Sequence, residues 1–343
     1  MGKSINISDL PYLSHYPQDD RAIVLLPYYD DIAKQFYHFL PVQDRQNELW
    51  MLPANKLIEG IYFSGTPVNE QDSRLPFLET ILQHFSFKKV ISEANKIQAD
   101  LINGLASLHK YFVLLEYAGT HKDNSCASMV KTELEYAFAN HRAFYDCLIR
   151  IIDVIHRRFN PTAPELPSSF HKVVRKSKSD LAEKYSLPQS LIDFFKGREK
   201  IFFTIKSVRD KILHHGQSTV QTIFEFPGEG FAISVDDQFA KKLGNVQPLW
   251  PSSLMKANRL GSVLAILVFF VKDMFSAMQE VKVAIINCIS LLPLRPIASR
   301  CELFLRSPLS KHLVLLNEYQ NKHWFDPKAV LETHRRDKPV PPS

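Results

Sequence analysis

Ile201-Phe-Phe-Thr-Ile-Lys-Ser-Val-Arg-Asp-Lys-Ile-Leu-His-His-Gly216 is an amphipathic segment that closes on Arg209, Asp210, His214, His215 and a glycine. On an ideal wheel of about 100° per residue, Ile201, Ile205, Val208, Ile212 and Leu213 form one apolar stripe, and Arg209 projects from its middle. A guanidinium placed there needs an anion, either a carboxylate of its own chain or a phosphate. Asp210 and His214 are four residues apart on the adjoining face. A carboxylate at that spacing can orient an imidazole and raise its affinity for a proton. Gly216 supplies a left-handed stop, which leaves both histidines in the last turn.

The rest of the composition narrows the class. With 343 residues, 45% apolar and 23% charged, the chain can bury a large core. Leu260–Val271 and Val283–Leu294 are uncharged, largely apolar runs of 12 residues in the last third, and each is far short of the about 20 apolar residues of a membrane span. The start, Met-Gly-Lys-Ser-Ile-Asn, carries no apolar run of secretory type, and Ile5 and Asn6 stand where a myristoylation signal needs Ser or Thr. Cys126, Cys147, Cys288 and Cys301 are scattered, without zinc-ligand spacing, which fits a reducing cytoplasm. The net charge is +6, and its excess is concentrated between Phe170 and His215, where 11 Lys and Arg face 5 Asp and Glu. Lys172, Arg175, Lys176, Lys178, Lys206 and Lys211 from this segment are candidate contacts to a polyanion such as RNA.

Residues 1–74 are punctuated by Pro11, Pro17, Pro27, Pro41, Pro53 and Pro67, a density that forbids long helices. We expect here a cap region of short elements: strands at Ala22–Leu26 and Leu49–Leu52, and helices at Tyr29–Phe39 and Asn55–Tyr62. From residue 75 the three-four spacing of apolar residues predicts one long helix or two collinear ones to Ala118, and a second long helix over about Ser128–Phe159. His141 stands in the apolar stripe of that second helix. It is read chiefly as a hydrogen-bonded core residue, with a secondary part in positioning the site. Residues 160–178 read as a loop. Alternation at Val220–Phe226 and Phe231–Val235 around Pro-Gly-Glu-Gly predicts a β-hairpin, about 219–236. A helix capped by Ser252 or Ser253 follows, then one more from about Ile297 to Tyr319, and a disordered tail over 326–343.

Phosphate-cradling glycine loops, a Gly-x-Ser-x-Gly elbow, His-Glu-x-x-His and calcium-type aspartate clusters are all absent from the sequence. What remains, Arg209-Asp-Lys-Ile-Leu-His-His-Gly216 late in a body of long helices, resembles the HEPN superfamily. The resemblance rests on this one motif and covers about 95–282. It implies a helical bundle and says nothing of residues 1–74; joined to the readings above, the expected fold is mainly α, a HEPN-like bundle over 75–325 with an inserted β-hairpin and the proline-rich cap at 1–74. It further implies a homodimer and a metal-independent endoribonuclease of toxin, defence or RNA-processing type, or else a non-catalytic RNA- or protein-binding scaffold. An antitoxin or other regulatory protein is a partner the resemblance suggests, and no cofactor or metal is called for. By the family pattern Arg209 binds the scissile phosphate, Asp210 holds the polar position, and His214, or His215 in its place, is the acid or base. The spacing recurs at Arg150 with His156 and at Arg306 with His312. The following acid, the His-His-Gly end and the basic approach favour Arg209. Five residues set Arg209 and His214 about 140° apart on an ideal wheel, so a distorted last turn or a second protomer would be needed to bring both to one phosphate.

Overall fold

In a computed structural model the chain is described at residues 2–13, 22–43, 45–121, 125–215, 222–226, 229–236, 238–245, 249–250, 255–256, 259–289, 291 and 298–321. The side chains at 209, 211–215, 238–239, 256, 299 and 320–321 are outside the description. Two compact units emerge. One is drawn from Met1–Ala99, Phe144–Gly197 and Phe275–Val314, the other from Asp100–Ala143, Arg198–Met274 and the chain from Leu315.

The first unit is built on a seven-stranded mixed sheet. Its strands are β1 (Lys3–Asn6), β2 (Tyr28–Asp30), β3 (Gln35–Pro41), β4 (Glu48–Ala54), β5 (Gly60–Ser64), β6 (Ser73–Arg74) and β11 (Glu302–Arg306). Their order across the sheet is β1-β4-β3-β2-β5-β11-β6. All neighbours are antiparallel except β2 and β5. Pro41 ends β3 and Pro53 lies within β4, so the proline density that excludes long helices is compatible with short strands. Asp30 Oδ1 accepts from the backbone N–H groups of Ile32 and Ala33, at 2.8 and 3.0 Å, and Lys34 has φ of 53°, which turns β2 into β3.

Strand β11 arrives from late in the sequence and is clamped on arrival. Helix α1 (Pro76–His84) starts with proline at its first position, as helices tolerate. Its Glu79 carboxylate accepts from the Leu303 N–H at 3.1 Å, and Gln83 donates to the Cys301 carbonyl at 3.1 Å. Arg306, 7% exposed, donates to both oxygens of Asp72 and to the Leu57 carbonyl, and its guanidinium lies over the rings of Phe36 and Tyr62. Asp72 also accepts from the Tyr62 hydroxyl at 2.6 Å and the Asn69 N–H at 3.0 Å.

The second unit holds a four-stranded sheet, order β7-β8-β10-β9, of Ile223–Phe226, Gly230–Ser234, Leu260–Ser262 and Met255–Lys256. Trp250 lies over β10 and donates from its indole to the Ser262 carbonyl at 3.0 Å. A Cβ at Gly261 would fall 2.5 Å from that indole, so only glycine fits beneath it. Four long helices contribute to both units: α2 (Lys88–Thr120), α3 (Ser125–Phe159), α5 (Gln189–His215) and α7 (Val263–Ile286). Short helices α4 (Phe170–Val174), α6 (Gln238–Gly244) and α8 (Lys311–Asn321) complete the set. Gly104 of α2 faces α7, where an added Cβ would stand 3.4 Å from Val271 Cγ2.

The architecture corrects the sequence reading. A mainly α, HEPN-like bundle with an inserted hairpin and an N-terminal cap is overturned by the two sheets, which make this an α/β fold. The helices expected at Tyr29–Phe39 and Asn55–Tyr62 are strands and turns, whereas the strand expected at Leu49–Leu52 lies within β4. Ala22–Leu26 is not a strand. Part of the stretch assigned to one last helix is β11, part of the expected loop is α4, and the hairpin is half of a larger sheet. The Gly216 stop, Ser252 and Ser253, and the tail fall outside the described residues, and the helix expected from Ser252 or Ser253 begins only at Val263, after two strands of the second sheet. Among the described residues no helix is long and apolar enough to cross a membrane, and no cluster of His, Cys, Asp and Glu suits a metal ion.

Candidate functional site

Helix α5 carries the motif through to its last residue, His215. Of the expected apolar stripe, Ile205 and Val208 are no more than 2% exposed and Ile201 is half-buried, while the side chains of Ile212 and Leu213 are outside the description; Phe202, not in that stripe, is also buried. Arg209, Lys211, His214 and His215 lie on the last turns of this helix, and their side chains are outside the description. Asp210, partly exposed, accepts from Arg142 Nη1 on α3 at 3.2 Å and from Lys206 Nζ one turn back on α5. Two cations therefore meet one carboxylate, with Arg209 and Lys211 as its sequence neighbours. Such a cluster gathers cationic side chains at the end of α5, the kind of surface to which anions are drawn. The structure thus brings Lys206 and Asp210 together and adds Arg142, which sequence reasoning missed. Periodicity orders residues on one helix and cannot report which neighbour faces it.

His141, the residue before Arg142, is fully buried. Its Nε2 lies 2.8 Å from Asp273 Oδ2 on α7, and the other oxygen of Asp273 accepts from Arg198 Nη1 on α5. Arg198 and Asp273 are 6% and 5% exposed. Three helices of the second unit are joined by this network. A buried carboxylate shared by a guanidinium and an imidazole is held by both charge and hydrogen bonds, the condition under which burial of ions is tolerated. The readable signal was Asp273 itself, an acid set in the otherwise apolar face of α7.

Two further polar groups of this unit carry shifts caused by burial. The Asp100 carboxyl on α2 is pushed up to about 7, and its Oδ2 is enclosed with no hydrogen-bond partner among the described residues. Asn140 of α3 donates to the Asp100 backbone carbonyl at 2.8 Å, beside that carboxyl. Burial likewise pushes Tyr111 up to about 12, and its hydroxyl accepts from the Phe231 N–H at 3.3 Å.

The remaining candidates belong to the first unit. Lys172, Arg175 and Lys178 are exposed on α4 and the turn after it, Lys176 is half-buried, and Lys178 stands 3.8 Å from Asp193. The competing motif pairs have structural duties there. Arg150 donates to the Asp146 carbonyl at 2.9 Å and approaches Glu93 at 3.4 Å, while His156 Nε2 lies 3.0 Å from the Tyr185 carbonyl. Arg306 is held by Asp72, and His312 is fully buried. Compared with protein-family models, with curated proteins and with solved structures, the chain finds no match.

Proposed function

We propose that this chain binds RNA through the end of α5 and cuts it there without a metal. The observation that carries the reading is the convergence of Arg142 and Lys206 on Asp210, one turn before His214, which concentrates positive charge where the motif histidines begin. Exposed Lys172, Arg175 and Lys178 support the same choice of a polyanion. In the reaction the ribose 2′-hydroxyl attacks the adjacent phosphorus and the 5′-oxygen leaves. His214, or His215 in its place, handles the proton while Arg209 neutralises the phosphate. Asp210 holds the cations that flank them. A second copy of the chain is the partner that would bring an arginine and a histidine to one phosphate.

A non-catalytic RNA- or protein-binding scaffold is favoured by one specific observation. The internal carboxylate Asp273 pairs with a buried arginine of α5, Arg198, showing that this helix already uses ionic side chains for packing.

The test is RNA binding and cleavage in excess EDTA. Wild type should bind RNA with an affinity that falls linearly on a double-logarithmic salt plot, and should leave a cyclic phosphate on the upstream fragment. Arg209→Ala and His214→Ala should each lose about 2 to 4 orders of magnitude in rate while remaining folded. Binding without cleavage leaves the scaffold reading. Absence of RNA binding at low salt removes the RNA-cutting function.

A further inference from the structure

We propose that the seven-stranded sheet of the first unit carries a binding site for a small zwitterion with an apolar side chain, of the kind presented by a short peptide or a free amino acid. This inference is independent of the RNA reading and uses none of its residues.

The observation is a cleft of about 540 Å³ on the β1, β4, β3 and β2 end of the sheet. That volume is in the range of about 300–1,000 Å³ usual for small-ligand sites. Register fixes its floor. Lys3 of β1 stands opposite Met51 of β4, and Met51 stands opposite Phe39 of β3, so the three side chains form one row on one face of the sheet. Tyr37, two residues before Phe39 and therefore on the same face, stands opposite Tyr28 of β2, which brings Tyr28 to the far end of the row. Four strands at about 4.8 Å spacing make this row about 14 Å long. Ile5 of β1 lies beside it, and Asp9 and Pro11 come from the 3-10 turn that follows β1.

The chemistry of the lining selects the ligand. Phe39 is 4% exposed and forms an apolar base with the half-buried Met51, Ile5 and Tyr28 ring. Lys3 is exposed and makes no ion pair among the described residues, and the Tyr28 hydroxyl makes no hydrogen bond among them. Asp9 is exposed, and among the described residues its side chain accepts only a long bond, 3.3 Å, from its neighbour Ser8. The cleft's other acid, Glu48, is already matched by Arg45 at 3.0 Å and Ser4 at 2.9 Å. What the cleft offers a ligand is one ammonium, one carboxylate and one phenol above an apolar floor. A carboxylate on Lys3, an ammonium on Asp9 and an apolar side chain on Met51 and Phe39 would satisfy all of them. The Tyr28 phenol, pushed up to about 12 chiefly by burial, stays protonated and can donate to the same ligand. At about 3.3 Å per residue, an extended tripeptide spans about 10 Å and fits the row.

Calorimetric titration of the full chain tests this with the dipeptide Leu-Phe, its N-acetylated and C-amidated forms, and free phenylalanine. Leu-Phe should saturate, and capping either end should weaken it about tenfold, the usual worth of one charged hydrogen bond. In Lys3→Met the amide cap should have no further effect, and in Asp9→Asn the acetyl cap should have none. Both substitutions fall on exposed side chains, and circular dichroism checks that the fold is kept. Free phenylalanine binding as tightly as Leu-Phe assigns the site to amino acids, and weaker binding assigns it to peptides. No saturation by any of these compounds at millimolar concentration, or saturation indifferent to both caps and both variants, overturns the proposal.

Discussion

Each unit buries an arginine against an aspartate, and the two pairs differ in what else shares the acid. In the first unit Asp72 holds Arg306 together with a tyrosine hydroxyl and a backbone N–H, and aromatic rings face the guanidinium. In the second unit Asp273 holds Arg198 together with His141 and has an imidazole where Asp72 has a phenol. The first arrangement fastens a strand, and the second joins three helices. Similar ion pairs thus serve different ends, and the third partner decides which.

The largest expected effect breaks the second network. Asp273→Ala leaves Arg198 buried without this carboxylate and should cost about 3–5 kcal/mol in denaturant unfolding. Replacing all three members together, Arg198→Met, Asp273→Leu and His141→Phe, should recover most of that loss, because apolar groups of similar volume carry no desolvation cost. If the triple variant is as unstable as Asp273→Ala, the network is more than a packing device. Arg306→Met should cost less, about 2 kcal/mol, because Asp72 keeps its two other donors. Equal losses in both units would remove the distinction drawn between them.

A further effect, also in the second unit, is a matter of pH. The folded state raises the Asp100 carboxyl to about 7 by burial, above its unfolded value near 4. Between those values the folded chain holds more protons than the unfolded chain, so stability falls as pH rises through this window. The loss is absent below the unfolded pKa and complete above the folded one. Asp100→Asn should therefore stabilise the chain at pH 8 and change little at pH 4, measured as the difference in melting temperature between the two conditions. A gain that is the same at both would mean that the carboxylate charge is not the cause.

The sequence reading succeeded where one element carries its own signal. The three-four spacing located α2, α3 and the buried stripe of α5, and alternation found β7 and β8. It failed where a strand's evidence lies in its partner. Strands β2, β5 and β6 are three, five and two residues long, too short for period-two alternation to accumulate. Leu260 continues the helical stripe of α7 on paper, yet belongs to β10, because pairing with Ser234 competes successfully with one more helical turn. At the candidate site the i, i+4 pair read from the sequence was Asp210 with His214, whose side chain is outside the description; Lys206, four residues before Asp210, is the partner the structure describes on the same helix. Arg142 was not legible, since it reaches Asp210 from a different helix.

Strand β11 has a consequence for how the chain is made. It lies between β5 and β6, and its Arg306 is 234 residues from Asp72. While a ribosome is still adding the middle of the chain, β5 and β6 have emerged with the slot between them open, and their facing edges expose unpaired backbone groups. Closure of the sheet must wait until residue 306 has been synthesised, and non-local pairing of this kind is slow. An N-terminal fragment that stops short of residue 306 would carry those open edges permanently, whereas one supplied with the 298–310 segment in trans has the strand that fills them.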